Sequence, residues 1–375
     1  MSMKRSLTVI VKPTLACNLS CRYCCVGHYA KHKRMSFETL EMCIKQVQSI
    51  PGKDNINWIW HGGEPTLMGI DFFDQVIALQ EKFRGSRYIR NNIQTNATLL
   101  YGAFLNFLID NNFKITSSID GPPPIHNLTR VYSDGRGTFD DTWKVIKSAQ
   151  KRIDSIIASG GSHPGLSLIC VLNKSNINEI DKIYEFFSSK NINLKLNPLI
   201  NIGCALDDLE GLGLKEHEYG TALIKFFERW FYEKELGISV SPLSEMLISL
   251  LKNKSSGCQA GGTCRGNFIS IDPEGNVYPC GRFDGVPEYW LGNIHQQRLQ
   301  NIINSERHIE IDNVRHQAVA DSCKACSCRI ICSNGCLFNS YLNKKNGGKK
   351  DPYCESYKML FQHLRNAINK ELKKE

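Results

Sequence analysis

The chain has 375 residues, 42% of them hydrophobic, which is too long for one minimal domain and ample for a sizeable core. The net charge of +9 comes from scattered Lys and Arg, with no basic block interleaved with aromatics outside the stretches KNGGKK and KELKKE, so nucleic acid is not expected as a partner. No 18-residue apolar run appears, and MSMKRSLTVIVK enters a strand-like segment without a signal h-region, so no membrane span is expected and the cytoplasm is the expected location.

Apolar runs predict strands at 7–11, 56–60, 88–95, 113–119, 166–172 and 194–200. Between them, helical spacing predicts helices near 36–49, with Ser36 as N-cap, and near 71–84, 99–111, 139–153 and 176–190. Such alternation means βα units on a parallel sheet. Six units are fewer than a closed eight-stranded barrel uses, so the expected fold is α/β, a partial (β/α)6 TIM-type barrel. Its active mouth should lie at the C-terminal strand ends. CNLSCRYC, HGGEP (61–65), QTNAT (94–98) and SIDGP (118–122) all fall there. A helix at about 214–235 reads as a bridge, and beyond it the alternation gives way to a Cys- and Gly-rich region. The expected domains are therefore 1–235 and 236–375.

Sixteen cysteines without an export signal favour metal over disulfides. In CNLSCRYCC the spacing of Cys17, Cys21 and Cys24 differs from the two CxxC pairs of a closed zinc site. Three thiolates can hold three irons of a [4Fe–4S] cluster and leave the fourth open to a small molecule. CxxxCxxC with Tyr23 resembles the signature of the radical S-adenosylmethionine enzymes, and Gly62-Gly63-Glu64-Pro65 looks like the GGE motif of that family. The resemblance implies that the methionine part of S-adenosylmethionine chelates the open iron while Tyr23 lies against the adenine. Glycine suits a close backbone approach to the cofactor, and Glu64 could accept from the methionine ammonium. Ser118 and Arg130 match positions where relatives place a hydroxyl and a guanidinium on the cofactor's carboxylate.

The later cysteines resemble the SPASM extension of radical enzymes that modify peptides and proteins, which completes the expected fold. The resemblance implies two auxiliary four-cysteine sites, Cys258, Cys264, Cys280 and Cys336 in one and Cys323, Cys326, Cys332 and Cys354 in the other. That makes three [4Fe–4S] clusters in all, with two zinc sites as the alternative for the auxiliary pair. The first cluster would need an electron donor such as flavodoxin or ferredoxin. Of the remaining thiols, Cys43 and Cys170 read as core, Cys204 as a group that could approach substrate, and Cys25 and Cys328 as neighbours of ligands. His61 reads as packing ahead of proton acceptor, and Trp58 and Trp60 as core or barrel lining. A non-enzymatic electron carrier would need neither the open site nor the Gly-Gly-Glu stretch.

The resemblance is closest to two branches, anaerobic sulfatase-maturating enzymes, which oxidise Cys or Ser to formylglycine, and maturases that crosslink ribosomally made peptides. It implies a carbon radical that takes hydrogen from an unactivated side-chain carbon, and a two-electron oxidation overall. In the sulfatase branch a carboxylate follows the third SPASM cysteine, as YPCD, and serves as general base. Here the stretch is YPCGRFDG, with Gly281 in that place and Asp284 either a substitute base or a turn residue. An aromatic after the first cluster motif is also missing, since Cys25 and Val26 stand there. Both departures direct the expectation to a crosslinking maturase acting on a precursor peptide, with formylglycine formation as the alternative.

Overall fold

The computed structural model describes residues 5–26, 32–233, 237–258, 264–345 and 350–373. Strand β1 (Ser6–Thr14) leads through the cysteine loop to helix α1 (Phe37–Gln48), which starts where the Ser36 hydroxyl accepts from the Thr39 amide at 3.1 Å. The alternation continues with β2 (Asn55–Gly62), α2 (Ile70–Phe83), β3 (Tyr88–Thr95), α3 (Gly102–Asp110), β4 (Lys114–Ser118), the short α4 (Pro123–His126), α5 (Phe139–Ala158), β5 (Leu166–Leu172), α6 (Ile180–Ser188) and β6 (Asn193–Pro198). A single turn, α7 (Leu209–Leu212), precedes the bridging helix α8 (Glu218–Tyr232). Strands β1 to β6 lie side by side in chain order, and every pairing among them is parallel. The six-unit partial barrel expected from the sequence is present.

Period-two burial sorts the strand residues. Leu7, Val9 and Val11 of β1 and Ile56, Trp58 and Trp60 of β2 are buried against the helix layer. Trp58 and Trp60 stack with ring centres 5.6 Å apart, and Trp60 meets Phe73 of α2 edge-on at 6.0 Å. These indoles are therefore outer core, not barrel lining, and burial of each such side chain contributes roughly 1.5–3 kcal/mol. The alternate residues, Ile10, Lys12, Asn57, Ile59 and His61 among them, face the lumen.

The Cys-rich half adds to this sheet, which the sequence pattern did not foresee. Strand β7 (Val240–Ser241) pairs parallel with β6 and is followed by α9 (Leu243–Lys252). Strand β8 (Phe268–Ile271) pairs parallel with β1, Thr8 opposite Phe268 through Val11 opposite Ile271. Antiparallel β9 (Asn276–Tyr278) and β10 (Gly292–Asn293) complete a ten-stranded sheet. Helices α10 (Leu299–Ile303), α11 (Glu306–Cys323), α12 (Arg329–Cys332) and α13 (Leu337–Lys345) follow, and α14 (Cys354–Leu372) returns to pack along α8. The expected domain boundary at 235/236 lies outside the described residues. The two large apolar cores each include residues from before and after it.

Candidate active site

The mouth is built where β1 and β2 end together. The Gly63 amide donates to the Thr14 carbonyl at 3.0 Å and the Glu64 amide to the Ala16 carbonyl at 2.7 Å. A Cβ on Gly62 would lie 2.2 Å from the Thr14 carbonyl oxygen, and one on Gly63 2.2 Å from that of Ala16. The glycines thus let the second strand lie against the chain entering the cysteine loop, a role beyond the expected approach to a cofactor. Glu64 is wholly buried. Its carboxylate accepts from the Thr66 amide and hydroxyl (3.1 and 2.6 Å), the Thr95 hydroxyl (2.7 Å) and the Asn96 amide (2.7 Å). Burial still lifts its pKa, against the pull of these donors. Glu64, expected to meet the methionine ammonium, also ties the ends of β2 and β3 together.

Cys17, Cys21 and Cys24 share one loop whose backbone is pinned from two sides. The Ser20 and Arg22 amides donate to the Val131 and Thr129 carbonyls at 2.8 and 2.9 Å, and the Cys204 amide donates to the Cys24 carbonyl at 3.0 Å. Gly203, with φ of +57°, is required at that crossing, because a Cβ would stand 2.3 Å from the Cys24 carbonyl oxygen. Burial pushes the Cys17 thiol up to about 12 and that of Cys21 to about 11, with nearby Arg130 opposing the second shift. Thiols held this way without metal are poised to release protons as metal binds.

Arg130 is interior, not surface, and it meets a residue that sequence reasoning passed over. Asp120, wholly buried after β4, accepts from Arg130 Nε at 2.9 Å, from the Val171 amide at 2.9 Å and from the Tyr23 hydroxyl. The guanidinium lies over the Tyr23 ring at 5.2 Å. Burial works against the Arg130 charge, but Asp120 and its neighbours hold the pKa above the usual value. Ser118 stands half-buried at the end of β4, on the lumen side. Asp120 could have been suspected from SIDGP, where a carboxylate at a strand end precedes a glycine with φ of +138°.

Across the lumen, Asp284 is no ordinary turn residue. Its Oδ2 lies 2.8 Å from Lys12 Nζ and accepts from the Ser270 hydroxyl at 2.9 Å, with the Lys12 and Asp284 side chains 10% and 6% exposed. Lys12 also donates to the Gly281 carbonyl at 2.8 Å. Asp284 Oδ1 is buried with no hydrogen-bond partner among the described residues. Burial raises the Asp284 pKa while Lys12 and Ser270 restrain it. His61 accepts from the Gly62 amide through Nδ1 at 2.6 Å, and burial, then the Lys12 charge, push its pKa down to about 3. It is a neutral group near Lys12. Neither Lys12 nor Ser270 carried a sequence signal.

The later cysteines gather in two groups. Cys280 lies close enough to Cys336 and Cys264, and Cys336 to Cys258, for their thiolates to repel one another. Cys332 stands in the same relation to Cys354, and Cys354 to Cys323 and Cys326. Among the described residues no group of three or more His, Cys, Asp or Glu is placed to hold a metal ion, in the first cysteine loop as among the later cysteines. Cys43 and Cys170 are buried in the apolar cores.

Residues 11–187 match the Radical SAM superfamily, and residues 263–327 match an iron-sulfur cluster-binding domain, SPASM. The chain carries a radical SAM domain followed by a SPASM domain. This radical SAM/SPASM enzyme is 28% identical over 371 residues to the cysteine-type anaerobic sulfatase-maturating enzyme of Clostridium perfringens, covering 95% of this chain and 96% of that one. It is 27% identical to the serine-type enzyme of Bacteroides thetaiotaomicron, over 96% and 90% of the two chains. The solved structure of anSMEcpe with bound AdoMet and Cp18Cys peptide superposes with a TM-score of 0.81 at 27% identity, covering 97% of this chain and 99% of that one. Streptococcus suis SuiB shares the fold, with a TM-score of 0.67 at 16% identity over 94% and 77% of the chains. Among the described residues no helix is long and apolar enough to cross a membrane.

Proposed function

We propose that this enzyme oxidises a cysteine or serine side chain of a protein or peptide substrate to formylglycine. The observation that carries this reading is the likeness to cysteine- and serine-type sulfatase-maturating enzymes along nearly the whole chain. It outweighs the expectation of a crosslinking maturase, which rested on Gly281 and on Cys25 and Val26 in place of an aromatic. Asp284 supplies the carboxylate that position 281 lacks.

Cys17, Cys21 and Cys24 would hold a [4Fe–4S] cluster with S-adenosylmethionine, and the two later groups of four would hold auxiliary clusters, three in all. When bound and reduced, the cofactor supplies a carbon radical able to take hydrogen from an unactivated side-chain carbon. The chain's residues do the rest. Tyr23 and the Gly62 to Pro65 turn would shape the adenosine and methionine sides, and Ser118 and Arg130 would hold the cofactor's carboxylate, with Asp120 orienting Arg130. Asp284, ionised beside Lys12, takes the proton of the substrate thiol or hydroxyl through its unpartnered Oδ1. A raised pKa brings it toward the working pH, where a base is most effective. The substrate carbon thus loses a hydrogen atom to the carbon radical, its heteroatom a proton to Asp284, and the pair an electron that an auxiliary cluster would take. Serine then stands as the aldehyde, whereas cysteine stands as a thioaldehyde that water hydrolyses to the aldehyde with release of hydrogen sulfide. A flavodoxin or ferredoxin would supply the starting electron in the cytoplasm.

Gly281 and the pair Cys25 and Val26 favour a second reading, a crosslink in a precursor peptide. Tandem mass spectrometry after anaerobic reaction separates the two. An aldehyde in a Cys- or Ser-containing sulfatase-motif peptide supports the proposal. A loss of two hydrogens bridging two side chains of a precursor peptide, with the sulfatase peptides unchanged, overturns it.

A further inference from the structure

The two groups of later cysteines sit in different electrostatic surroundings. Beside the first, Arg282 Nη1 points at Cys336 Sγ at 3.8 Å and donates to Asn339 Oδ1 at 3.0 Å. Asn339, itself buried, donates to buried Asp351 at 3.0 Å, and Asp351 accepts from the Cys336 amide at 3.2 Å. The guanidinium is thus guided onto one sulfur, and its charge also acts on Cys258 and Cys280. Beside the second group, the cations acting on Cys354 are Lys350 and Lys358, whose side chains are 39% and 41% exposed and lie 3.8 and 3.6 Å from Glu216 and Glu355. Water and salt screen such exposed lysines, whereas a guided, part-buried guanidinium keeps its field.

A reduced iron–sulfur centre carries one more negative charge than its oxidised form. A nearby cation and a hydrogen bond to a ligand sulfur both favour the reduced form and raise the reduction potential. We infer that Arg282 sets the centre held by Cys258, Cys264, Cys280 and Cys336 at a higher reduction potential than the one held by Cys323, Cys326, Cys332 and Cys354. The inference rests on the proposed clusters and is independent of the substrate. The raised centre is the better electron acceptor of the two. It is also the one beside Lys12, which donates to the carbonyl of Gly281, the residue after Cys280, at 2.8 Å. Arg282 acts on that centre through the Cys336 sulfur and is a positioning residue for it.

The test is a redox titration followed by electron paramagnetic resonance on anaerobically reconstituted full-length protein without peptide. A Cys332→Ala variant identifies which signal belongs to the second centre. Arg282→Gln is expected to lower the potential of the first centre alone by at least the equivalent of a tenfold change in equilibrium constant, about 59 mV for one electron. Arg282→Lys, which keeps the charge, should stay closer to the wild-type value. No shift in the Gln variant, an equal shift in both centres, or equal shifts in the Gln and Lys variants would overturn the inference. If Arg282→Gln fails to load the first centre, Asn339→Leu carries the test. Freed from its guide, Arg282 should give a smaller downward shift there, and an unchanged potential counts against it. If Cys280→Ala costs no iron, it is the cluster assignment that fails, a different result from an unmoved potential.

Discussion

The two sides of the barrel mouth use buried carboxylates in opposite ways. On the side of β2 to β5, Glu64 and Asp120 are filled by donors from strand ends, a hydroxyl and a guanidinium. On the side of β1 and β8, Asp284 has one oxygen held by Lys12 and Ser270 and the other buried with no partner among the described residues. A satisfied buried carboxylate fixes geometry, because every donor it holds loses a partner if it moves. One left with open capacity is unstable for its burial and available for proton transfer.

Exchanging the two kinds of site should break this comparison most visibly at Asp284. Asp284→Asn is expected to lower the rate of peptide oxidation by roughly 10²–10⁴-fold, as loss of a general base does. Cleavage of S-adenosylmethionine to 5′-deoxyadenosine should persist, and equal loss of both activities would mean that Asp284 is structural. Asp120→Ala should act through stability instead. It leaves Arg130 buried without its partner, a cost of about 3–5 kcal/mol, read as a lowered melting temperature. A melting curve unchanged within a degree would show that Arg130 finds other partners.

Lys12→Met sharpens the comparison through pH. Asp284 works as a base only when ionised, so the oxidation rate falls as pH drops through its raised pKa. Without the neighbouring cation that pKa rises further, and the acid limb of the rate profile should move to higher pH. An unmoved limb would separate Asp284 from the rate. The smallest effect belongs to the surface. Lys82→Ala, which removes the exposed pair with Glu41, should leave melting and turnover where they were.

The sequence made the barrel legible because strand alternation and loop motifs are local. Each of CNLSCRYC, HGGEP, QTNAT and SIDGP sits at the end of a strand, as its position after an apolar run implies. Asp120 escaped notice within a motif already singled out, since nothing local says that its carboxylate meets Arg130 and Val171. Lys12 looked like one more strand residue because its partner is 272 positions away in sequence, the separation of Lys12 and Asp284. Gly281 stands where a carboxylate is expected, and the sequence leaves Asp284 as either a substitute base or a turn residue. Its partners Lys12 and Ser270, which come from β1 and β8, are visible only in the fold.

The pairing of β8 with β1 also bears on how the protein can be handled and how it must fold. An unpaired β1 would present a long, mostly apolar edge, the kind of template that recruits other chains and precipitates them. By laying Phe268–Ile271 along that edge, the Cys-rich region shields the barrel as a hem closes a cut cloth. A barrel expressed alone is expected to aggregate, and a chain still being synthesised carries that raw edge until its last third arrives.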